Sequence, residues 1–316
     1  MSDAPLRPEA GDEFAHPRGD EPLWSESWYY DWVDAGQGIG GWIRLGLIPN
    51  EDHAWLQALL CGPDMPTIAV SDFEVPLPSD PTRVVTGEVE FTQAATVPLQ
   101  SCAVTVQGSG QAYDDPAALL RGEPGRPVQV GIELVWTTNG TPYRYRVTPR
   151  YEIPCTVSGS ATADGRHYTF DGVPGQRDHS WGVRDWWGME WVWSALHLDD
   201  GTHLHGVDLR IPGFPPLGIG YSQAGGALTE LENVTAREVF ADNDLPVTTE
   251  LEMAPGEVVL DATVTGHAPV RLVARDGRVS HFPRAWATVT MRDGRRGSGW
   301  LEWNRNQPES GLEERQ

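Results

Sequence analysis

Apolar and polar residues alternate in short segments along most of the chain. A period of two is typical of β-strands, because successive side chains point to opposite faces of a sheet. The segments are SWYYDWV (27–33), GWIRLGLI (41–48), TGEVEFTQ (86–93), SCAVTVQ (101–107), VQVGIELVWT (128–137), YRYRVTPRYEI (143–153), HYTFDGV (167–173), WVWSALHL (191–198), THLHGVDLRI (202–211), EVVLDATVTG (257–266), VRLVAR (270–275), RAWATVTM (284–291) and GSGWLEWN (297–304). Turn-forming residues separate them, as at 34–41, 78–81 and 138–140. The pattern predicts more than a dozen strands.

Helical periodicity is nearly absent. The one convincing fragment is DDPAALLRG (114–122), with Pro116 at an early helical position and Gly122 just beyond the end. Strands with scarcely a helix between them exclude right-handed βαβ units as the basic plan. For 316 residues containing 26 Pro, 35 Gly and 14 Trp, we expect an all-β protein built from antiparallel barrels or sandwiches.

A weak internal repeat sharpens this expectation. ESWYYDWVDAGQGIGGWIRLGLI from Glu26 and EWVWSALHLDDGTHLHGVDLRI from Glu190 each give a Glu, a Trp-rich strand, an acidic Gly turn and a second strand. Each segment would open one half of the molecule. We therefore predict a disordered lead over residues 1–21 and two tandem antiparallel barrels, over 22–175 and 176–316.

Charge and cysteine content narrow the classes of partner and compartment. The net charge of −22, from 45 acidic and 23 basic residues, would repel nucleic acid and an anionic membrane surface. The first residues lack the basic start and apolar block of a signal peptide, and no run of eighteen apolar residues occurs. Three widely spaced cysteines fit buried thiols in a reducing compartment. We expect a cytoplasmic protein without a membrane span, and its oligomeric state cannot be predicted.

The stretch RDHSWGVRDWWGMEWVW (177–193) carries the strongest hint of chemistry. Five of its residues are Trp, and charged residues lie among them. If it is a strand, alternation puts Arg177, His179 and Trp181 on one face and Asp178 on the other. Indole walls would disfavour the charged form of a carboxyl group, so Asp178 is a candidate general acid. The same walls would stabilise a carbocation formed from an alkene.

A purely structural interpretation of this stretch stays open. Arg177 or Arg184 could pair with Asp178 or Asp185 to neutralise buried charge, with the indoles as core. A tight hairpin at Asp200-Gly201 would set His203 and His205 opposite Leu198 and Leu196, whereas a longer odd-length loop would swap the faces. Because a third ligand is missing from the pattern, we expect no metal site there.

Motifs of the common cofactor-dependent enzymes are missing. The sequence contains no GxSxG, HExxH or P-loop, and GQGIGG at Gly36 follows a strand without opening a helix. We therefore expect no cofactor. In the first hairpin, Glu26, Tyr29, Tyr30 and Asp31 could line a barrel, although alternating aromatic residues are more often core, and Glu302 is similarly ambiguous.

Three islands resemble one known family. GQRDHSWGVRDWW (175–187) resembles the G-x-x-D-H-N-W-G motif of the tandem lipocalin-like family that includes carotenoid 1,2-hydratase (hydroxyneurosporene synthase) and the AttH-like proteins. ESWYYDWVD (26–34) is similar to the family's opening motif, and GSGWLEWNR (297–305) lies where its closing strand would be. The chain departs at Ser180, where Asn is usual, and in the added Asp185-Trp186-Trp187.

The resemblance implies two lipocalin-like barrels with a pocket near their interface. It implies hydration, cyclisation or pericyclic chemistry on an apolar isoprenoid, steroid or polyketide-like substrate. The alternative is a carrier, because a small barrel can enclose an apolar molecule without any turnover. By position, the motif acid is Asp178, its histidine is His179 and its tryptophan is Trp181. The expected catalytic residues are Asp178, Asp185 and His179, and the expected substrate-binding residues are Trp181, Trp186, Trp187, Trp191, Arg177 and Tyr29.

Overall fold

A computed structural model describes residues 5–256 and 258–307. It is nearly all-β, with two large antiparallel sheets. The strands of the first half are β1 Trp24–Asp34, β2 Ile39–Ile48, β3 His53–Gly62, β4 Met65–Pro76, β5 Arg83–Thr86, β6 Val89–Val97, β7 Ser101–Tyr113, β8 Arg126–Thr138, β9 Tyr143–Arg144, β10 Arg150–Ala163 and β11 Arg166–Val183. The short helix α1 spans Ala117–Arg121, and 3₁₀ turns span Ala10–Glu13 and Pro49–Glu51.

The second half contains the other eleven strands. They are β12 Glu190–Leu198, β13 His203–Arg210, β14 Leu217–Ala224, β15 Ala227–Glu230, β16 Asn233–Phe240, β17 Pro246–Ala254, β18 Val258–His267, β19 Val270–Val273, β20 Val279–Phe282, β21 Ala285–Met291 and β22 Arg296–Asn306. The predicted strand 257–266 thus corresponds to β18, and its first residue, Glu257, lies outside the described residues. The predicted all-β fold class is confirmed.

The first sheet closes on itself. Its strand order is β4-β3-β2-β1-β11-β10-β8-β7-β6-β5, and β4 also pairs with β7 through Thr67–Ala69 and Gln111–Tyr113. Eight strands therefore form a continuous ring. A closed ring leaves the row of backbone donors and acceptors of each strand paired, which removes the exposed edges of an open sheet.

The second sheet repeats this plan in shorter form. Its order is β15-β14-β13-β12-β22-β21-β18-β17-β16. At Gly218 of β14 an added Cβ would lie 2.2 Å from the backbone nitrogen of Val234, so the absence of a side chain lets β14 approach β16 closely. The backbone N–H of Leu231 also donates to the carbonyl of Gly220 at 2.9 Å.

The two halves share a topology that agrees with the sequence repeat. In each half, the opening strand pairs with the second strand and with the last one: β1 lies between β2 and β11, and β12 lies between β13 and β22. The predicted boundary between residues 175 and 176 falls inside β11, all of which belongs to the first sheet. The chain crosses to the second sheet between Val183 and Glu190.

The three largest clusters of apolar side chains form three layers. One fills the first barrel, one fills the second, and the third lies between the barrels and draws residues from both halves. Indole N–H groups fasten this middle layer by donating to backbone carbonyls of the opposite half: Trp300 to Trp32 at 2.9 Å, Trp42 to Ala268 at 3.2 Å and Trp286 to Cys61 at 3.2 Å. The halves are therefore joined by directed bonds as well as by apolar contact.

The N-terminal segment differs from the expected disordered lead. Residues 1–4 lie outside the described part, but from residue 5 the chain packs against the first barrel. Glu13 is buried, forms an ion pair with Arg177 and accepts the backbone N–H of Leu99 at 2.6 Å. The segment is poor in apolar residues, yet its polar groups are partners for charges inside the barrel.

Two further expectations have structural outcomes. The predicted strand 143–153 is a hairpin of β9 and β10, because the chain turns back between Tyr145, whose N–H donates to the carbonyl of Arg150 at 2.9 Å, and Arg150. All three cysteines are buried and free. In the described residues, no helix is long and apolar enough to cross a membrane.

Candidate functional site

A row of polar side chains crosses the outer face of the first barrel, beneath the second. Antiparallel pairing sets Asp178 opposite both Glu152 and Tyr29, Tyr29 opposite Arg44, and Arg44 opposite Gln57. The row thus runs across β10, β11, β1, β2 and β3 with one residue from each strand. Directly opposed residues share a face of the sheet, so these five side chains all point toward the second barrel.

A cavity of about 370 Å³ lies over this row, between the barrels. Its polar side is lined by Tyr29, Arg44, Tyr145, Arg150, Asp178, Arg184, Arg284 and Glu302. Its apolar side is lined by Trp186, Met189, Trp191, Trp193, Val207, Leu209, Ile211, Leu217 and Ile219. Such a mixture of apolar walls and a few convergent polar groups is typical of small-molecule sites.

Asp178 lies buried at the polar side of this cavity. Its Oδ2 accepts a hydrogen bond from Nη2 of Arg150 at 2.6 Å, and Arg150 also donates through Nε to Glu152 at 2.7 Å. Burial and the neighbouring Glu152 carboxylate raise the pKa of Asp178 to about 6, against the lowering effect of Arg150. Asp178 is therefore a carboxyl group that can gain and lose a proton near neutral pH.

Tyr145 at the cavity wall forms a hydrogen-bonded pair with His205, which lies behind it. Nδ1 of His205 donates to the carbonyl of Ser194 at 2.8 Å, and burial lowers the pKa of this imidazole, so the ring is neutral with a lone pair on Nε2. That lone pair accepts the Tyr145 hydroxyl at 2.6 Å. Glu152 lies 3.6 Å from Nε2 and would stabilise the protonated ring.

Arg284 is held by aromatic rings and by one carboxylate. Its guanidinium pairs with Glu302, and its Cζ lies 4.3 Å from the ring centroid of Tyr29 and 4.6 Å from that of Trp42. Glu302 also accepts the indole N–H of Trp191 at 2.8 Å. Nη1 of Arg284 has no hydrogen-bond partner among the described residues.

Two further arginines in the cavity have no carboxylate partner within the described residues. Arg44 lies over the rings of Trp55 and Trp186, at 5.5 and 5.2 Å from their centroids, and Arg184 lies 5.5 Å from Trp186. Burial and neighbouring guanidinium groups lower the pKa of Arg44 to about 9 and that of Arg184 to about 10, so both stay charged at pH 7. Four guanidinium groups against two carboxyl groups make the cavity lining cationic.

Four of the residues expected at the site line the cavity. They are Asp178, Tyr29, Trp186 and Trp191. Asp185 and Trp187 do not: Asp185 caps the connecting loop by accepting the backbone N–H groups of Trp187 and Gly188 at 3.1 and 3.0 Å, and the Trp187 ring contacts Arg278. Strand alternation ends at Val183, which is why spacing alone could not place these residues.

The remaining expected residues lie on the other face of β11, inside the first barrel. Arg177 pairs with Glu13 there, although its Nε and Nη2 lack partners among the described residues. His179 donates through Nδ1 to the carbonyl of Asp12 at 2.7 Å, and its Nε2 lies 2.9 Å from Glu26. Trp181 is half-buried and also outside the cavity. Arg177, His179 and Trp181 therefore do not contact the cavity between the barrels, and a substrate bound there would not reach them.

The same face contains the one group in the described residues with metal-ligand geometry. One ligand atom from each of His16, Glu26 and His179 lies within 4.8 Å of the others. Trp181 stacks on His16 with ring centroids 3.8 Å apart. A divalent ion could be held by two imidazoles and a carboxylate, but the 2.8 and 2.9 Å contacts are equally those of hydrogen bonds.

The histidines of the second half do not follow the tight-hairpin register. Five residues, 198–202, separate the last residues that pair between β12 and β13, which sets His203 opposite His197 and His205 opposite Ala195. The Nδ1 atoms of His197 and His203 are 2.9 Å apart. This is the outcome given for a longer odd-length loop.

Sequence reasoning missed the arginines that dominate the cavity. The sequence patterns do not mark Arg44, Arg150 or Arg284 as site residues, and they place Tyr145 only within a strand. The available signal was a lone charged residue in an otherwise apolar strand, as with Arg44 in GWIRLGLI. A charge at such a position is costly unless a partner or a ligand compensates for it.

The fold and the cavity define a two-barrel β-protein with a cavity of cationic lining between its halves. The chain belongs to the family described as a domain of unknown function, DUF7064, whose model matches residues 9–307. A search of curated proteins finds no match.

Solved structures with the same fold have low sequence identity to this chain. A putative AttH from Nitrosomonas europaea is 16% identical, with a TM-score of 0.63 over 95% of this chain and 98% of that one. Kievitone hydratase from Nectria haematococca is 12% identical, with a TM-score of 0.61 over 96% and 94%. CghA is 10% identical, with a TM-score of 0.57 over 90% and 88%. These likenesses support the AttH-like resemblance in fold, while the carotenoid hydratase resemblance stays a prediction.

Proposed function

We propose that this protein is a cofactor-independent enzyme that protonates a C=C bond of a largely apolar small molecule, leading to hydration or ring closure. The observation that carries the proposal is Asp178, a buried carboxyl group with a pKa raised to about 6 at the wall of the cavity between the barrels. A general acid works best when its pKa lies near the working pH. The fold shared with kievitone hydratase supports the same class of reaction.

The positive charge of the cavity lining determines which kind of C=C bond can be protonated there. Four guanidinium groups would raise the energy of a substrate carbocation, and the Trp186 ring that was expected to stabilise one already faces Arg44 and Arg184. The same groups would stabilise negative charge developing on a substrate oxygen. We therefore expect the C=C bond to be conjugated to a carbonyl group, so that charge develops on that oxygen.

Tyr145 and His205 supply the complementary base. In hydration, the oxygen of a water molecule bonds to one alkene carbon while Asp178 gives its proton to the other. The proton released by water passes to the Tyr145 oxygen, as the Tyr145 proton passes to Nε2 of His205. Return of that proton to the Asp178 carboxylate closes the cycle, and one water has been added across the bond. In ring closure, a hydroxyl group of the substrate replaces water.

The test compares Asp178→Asn with wild type and with Asp31→Asn. Asn keeps an oxygen for Arg150 but cannot donate the acidic proton. Asp31 is a matched control, because it is buried one strand away with a strongly raised pKa and does not line the cavity. Each protein is isolated from its expression host in H₂O and D₂O, and its retained small molecules are identified by native and then denaturing mass spectrometry.

We expect wild type and Asp31→Asn to release a hydrated or cyclised molecule with deuterium on carbon, and Asp178→Asn to retain the unsaturated precursor. Loss of one general acid corresponds to roughly a hundredfold to ten-thousandfold in rate. If all three proteins retain the same compound without deuterium on carbon, the protein is a carrier and Asp178 is a structural partner of Arg150.

A further inference from the structure

We propose that the substrate of this cavity is an amphipathic carboxylate, whose anionic head group binds between Arg44 and Arg184 while its apolar body lies against the second barrel. The inference rests on the proposed function only in taking the cavity as the substrate site. It names a class of substrate that the reaction alone does not require.

The first support is uncompensated positive charge. Arg44 is 9% exposed, and the pKa values of both arginines are lowered by burial and by other guanidinium groups. Exposed arginines elsewhere in the chain pair with acids, as Arg126 does with Asp164 and Arg237 does with Glu250. In a protein with a net charge of −22, acids to pair with these two would have been available. The buried guanidinium of Arg44 and the half-buried guanidinium of Arg184 are left for an anion from outside.

The second support is a set of unused donors beside Arg44. A smaller recess of about 30 Å³ shares Arg44, Trp186, Arg284 and Glu302 with the main cavity. Nε2 of Gln57 and Nη1 of Arg284 are buried in this region without hydrogen-bond partners among the described residues. Gln57 lies directly opposite Arg44 on the neighbouring strand. Donors that converge without an acceptor favour a carboxylate, which accepts through both oxygens.

The cross-strand row sets the distance between the head group and the reacting bond. Asp178 and Arg44 are both paired with Tyr29, so they lie two strands apart. Neighbouring strands are about 4.8 Å apart, which separates the two positions by about 10 Å. The carboxylate is therefore remote from the C=C bond that Asp178 would protonate, and the apolar wall of Val207, Leu209 and Ile219 contacts the rest of the molecule.

Binding of simple probes tests the inference without any turnover. We would measure the affinity of decanoate, decan-1-ol and decyltrimethylammonium for wild type by calorimetry and by quenching of tryptophan fluorescence. We expect decanoate to bind at least about tenfold more tightly than decan-1-ol, because a charge-assisted hydrogen bond is worth about that factor or more. The cationic probe should bind most weakly.

Substitutions in the head-group site test whether that site causes the preference for decanoate over decan-1-ol. Arg44→Met and Arg184→Met should each lower decanoate affinity about tenfold and leave decan-1-ol within about twofold. Arg44→Lys should restore part of the preference. Gln57→Glu, which is isosteric and places an acid opposite Arg44, should abolish it. The matched control is Arg278→Met: Arg278 lies 4.9 Å over Trp187 but pairs with Asp276 outside the cavity, so its loss should change nothing.

Equal affinity for decanoate and decan-1-ol in wild type, or equal effects of Arg278→Met and Arg44→Met, would overturn the inference. The outcome is independent of the proposed reaction. If decanoate preference depends on Arg44 while Asp178→Asn retains the same unmodified compound as wild type, the protein is a carrier of an acid, and only the reaction is refuted. If Asp178→Asn traps a precursor that has no carboxylate, the reaction stands and the head-group site is refuted.

Discussion

The two faces of β11 carry two charged clusters that differ in how their charges are balanced. Inside the first barrel, Arg177 pairs with Glu13, and His179 lies against Glu26, and none of these residues lines the cavity between the barrels. On the outer face, Asp178 belongs to a lining in which four guanidinium groups exceed the carboxyl groups and free space adjoins them. Alternating residues of a single strand thus contribute to a cluster of paired charges and to a cluster that adjoins a cavity and has an excess of positive charge.

This difference teaches how buried charge can be interpreted. A buried ion whose counter-charge comes from the same chain is accounted for by folding alone. A buried ion without a counter-charge, next to a cavity, lowers stability unless something binds there. The inner cluster of Arg177, Glu13, His179, Glu26 and His16 is therefore assigned to holding the N-terminal segment, and the outer cluster to a ligand.

Breaking the inner cluster should have the largest effect on stability. Arg177→Met leaves Glu13 buried without its partner, and we expect the free energy of unfolding to fall by about 3–5 kcal/mol. Urea denaturation followed by tryptophan fluorescence measures this. Adding Glu13→Gln should recover part of the loss, because the orphaned charge is removed. An unchanged midpoint for the single variant would show that the cluster does not hold the segment.

The pH dependence of turnover should follow the outer cluster. A general acid is active when protonated, so the rate should fall about tenfold per pH unit above pH 6, as Asp178 loses its proton. It should fall again at lower pH, below the lowered pKa of His205, because the protonated ring cannot accept the Tyr145 proton. The profile is measured with the precursor trapped by Asp178→Asn. His179 is inside the barrel, so His179→Gln should not shift the fall above pH 6 even if it lowers stability. If His179→Gln changes the pH at which this fall begins, the general acid must lie on the inner face of β11 and not at Asp178.

Removing an unpaired buried charge should raise the free energy of unfolding, whereas breaking a buried ion pair should lower it. Arg44→Met replaces a buried guanidinium without a carboxylate partner by an apolar side chain, and we expect the ligand-free protein to gain about 1 kcal/mol in its free energy of unfolding. Before the measurement, wild type and Arg44→Met are both freed of bound ligand by partial denaturation and refolding. Destabilisation similar to that of Arg177→Met would mean that Arg44 is a structural residue.

The smallest effect is expected at Asp185, outside both clusters. Asp185→Ala removes the acceptor for two backbone N–H groups of the connecting loop, which should cost about 1 kcal/mol of stability. Decanoate affinity and turnover should stay within about threefold of wild type, since the side chain does not line the cavity. A loss of turnover as large as that of Asp178→Asn would restore the catalytic role expected from the sequence.

The sequence predicted the class of fold and one half of the site for identifiable reasons. Period-two alternation identified most strands, and it separated Asp178 from Arg177 and His179 because β11 is regular through Val183. Among the strands that it missed is β3, whose HAWLQALLCG is apolar on both faces and resembles a buried helix segment as much as a strand.

The other half of the site depends on register. Residues 29, 44, 57, 152 and 178 become neighbours only through pairing of five strands, and register between distant strands is not encoded locally. The interbarrel position of Arg284 depends in addition on how the two sheets pack. A lone polar residue within an apolar strand could mark Arg44 and Gln57 as unusual, but not as partners.

The indole bonds between the halves have a consequence for how the molecule unfolds. Trp300, Trp42 and Trp286 each join a side chain of one barrel to the backbone of the other, within an apolar layer that neither barrel could cover alone. Separation of the halves would expose that layer and break all three bonds together. We therefore expect one cooperative transition, in which the two halves of the repeat unfold together as a single thermodynamic body.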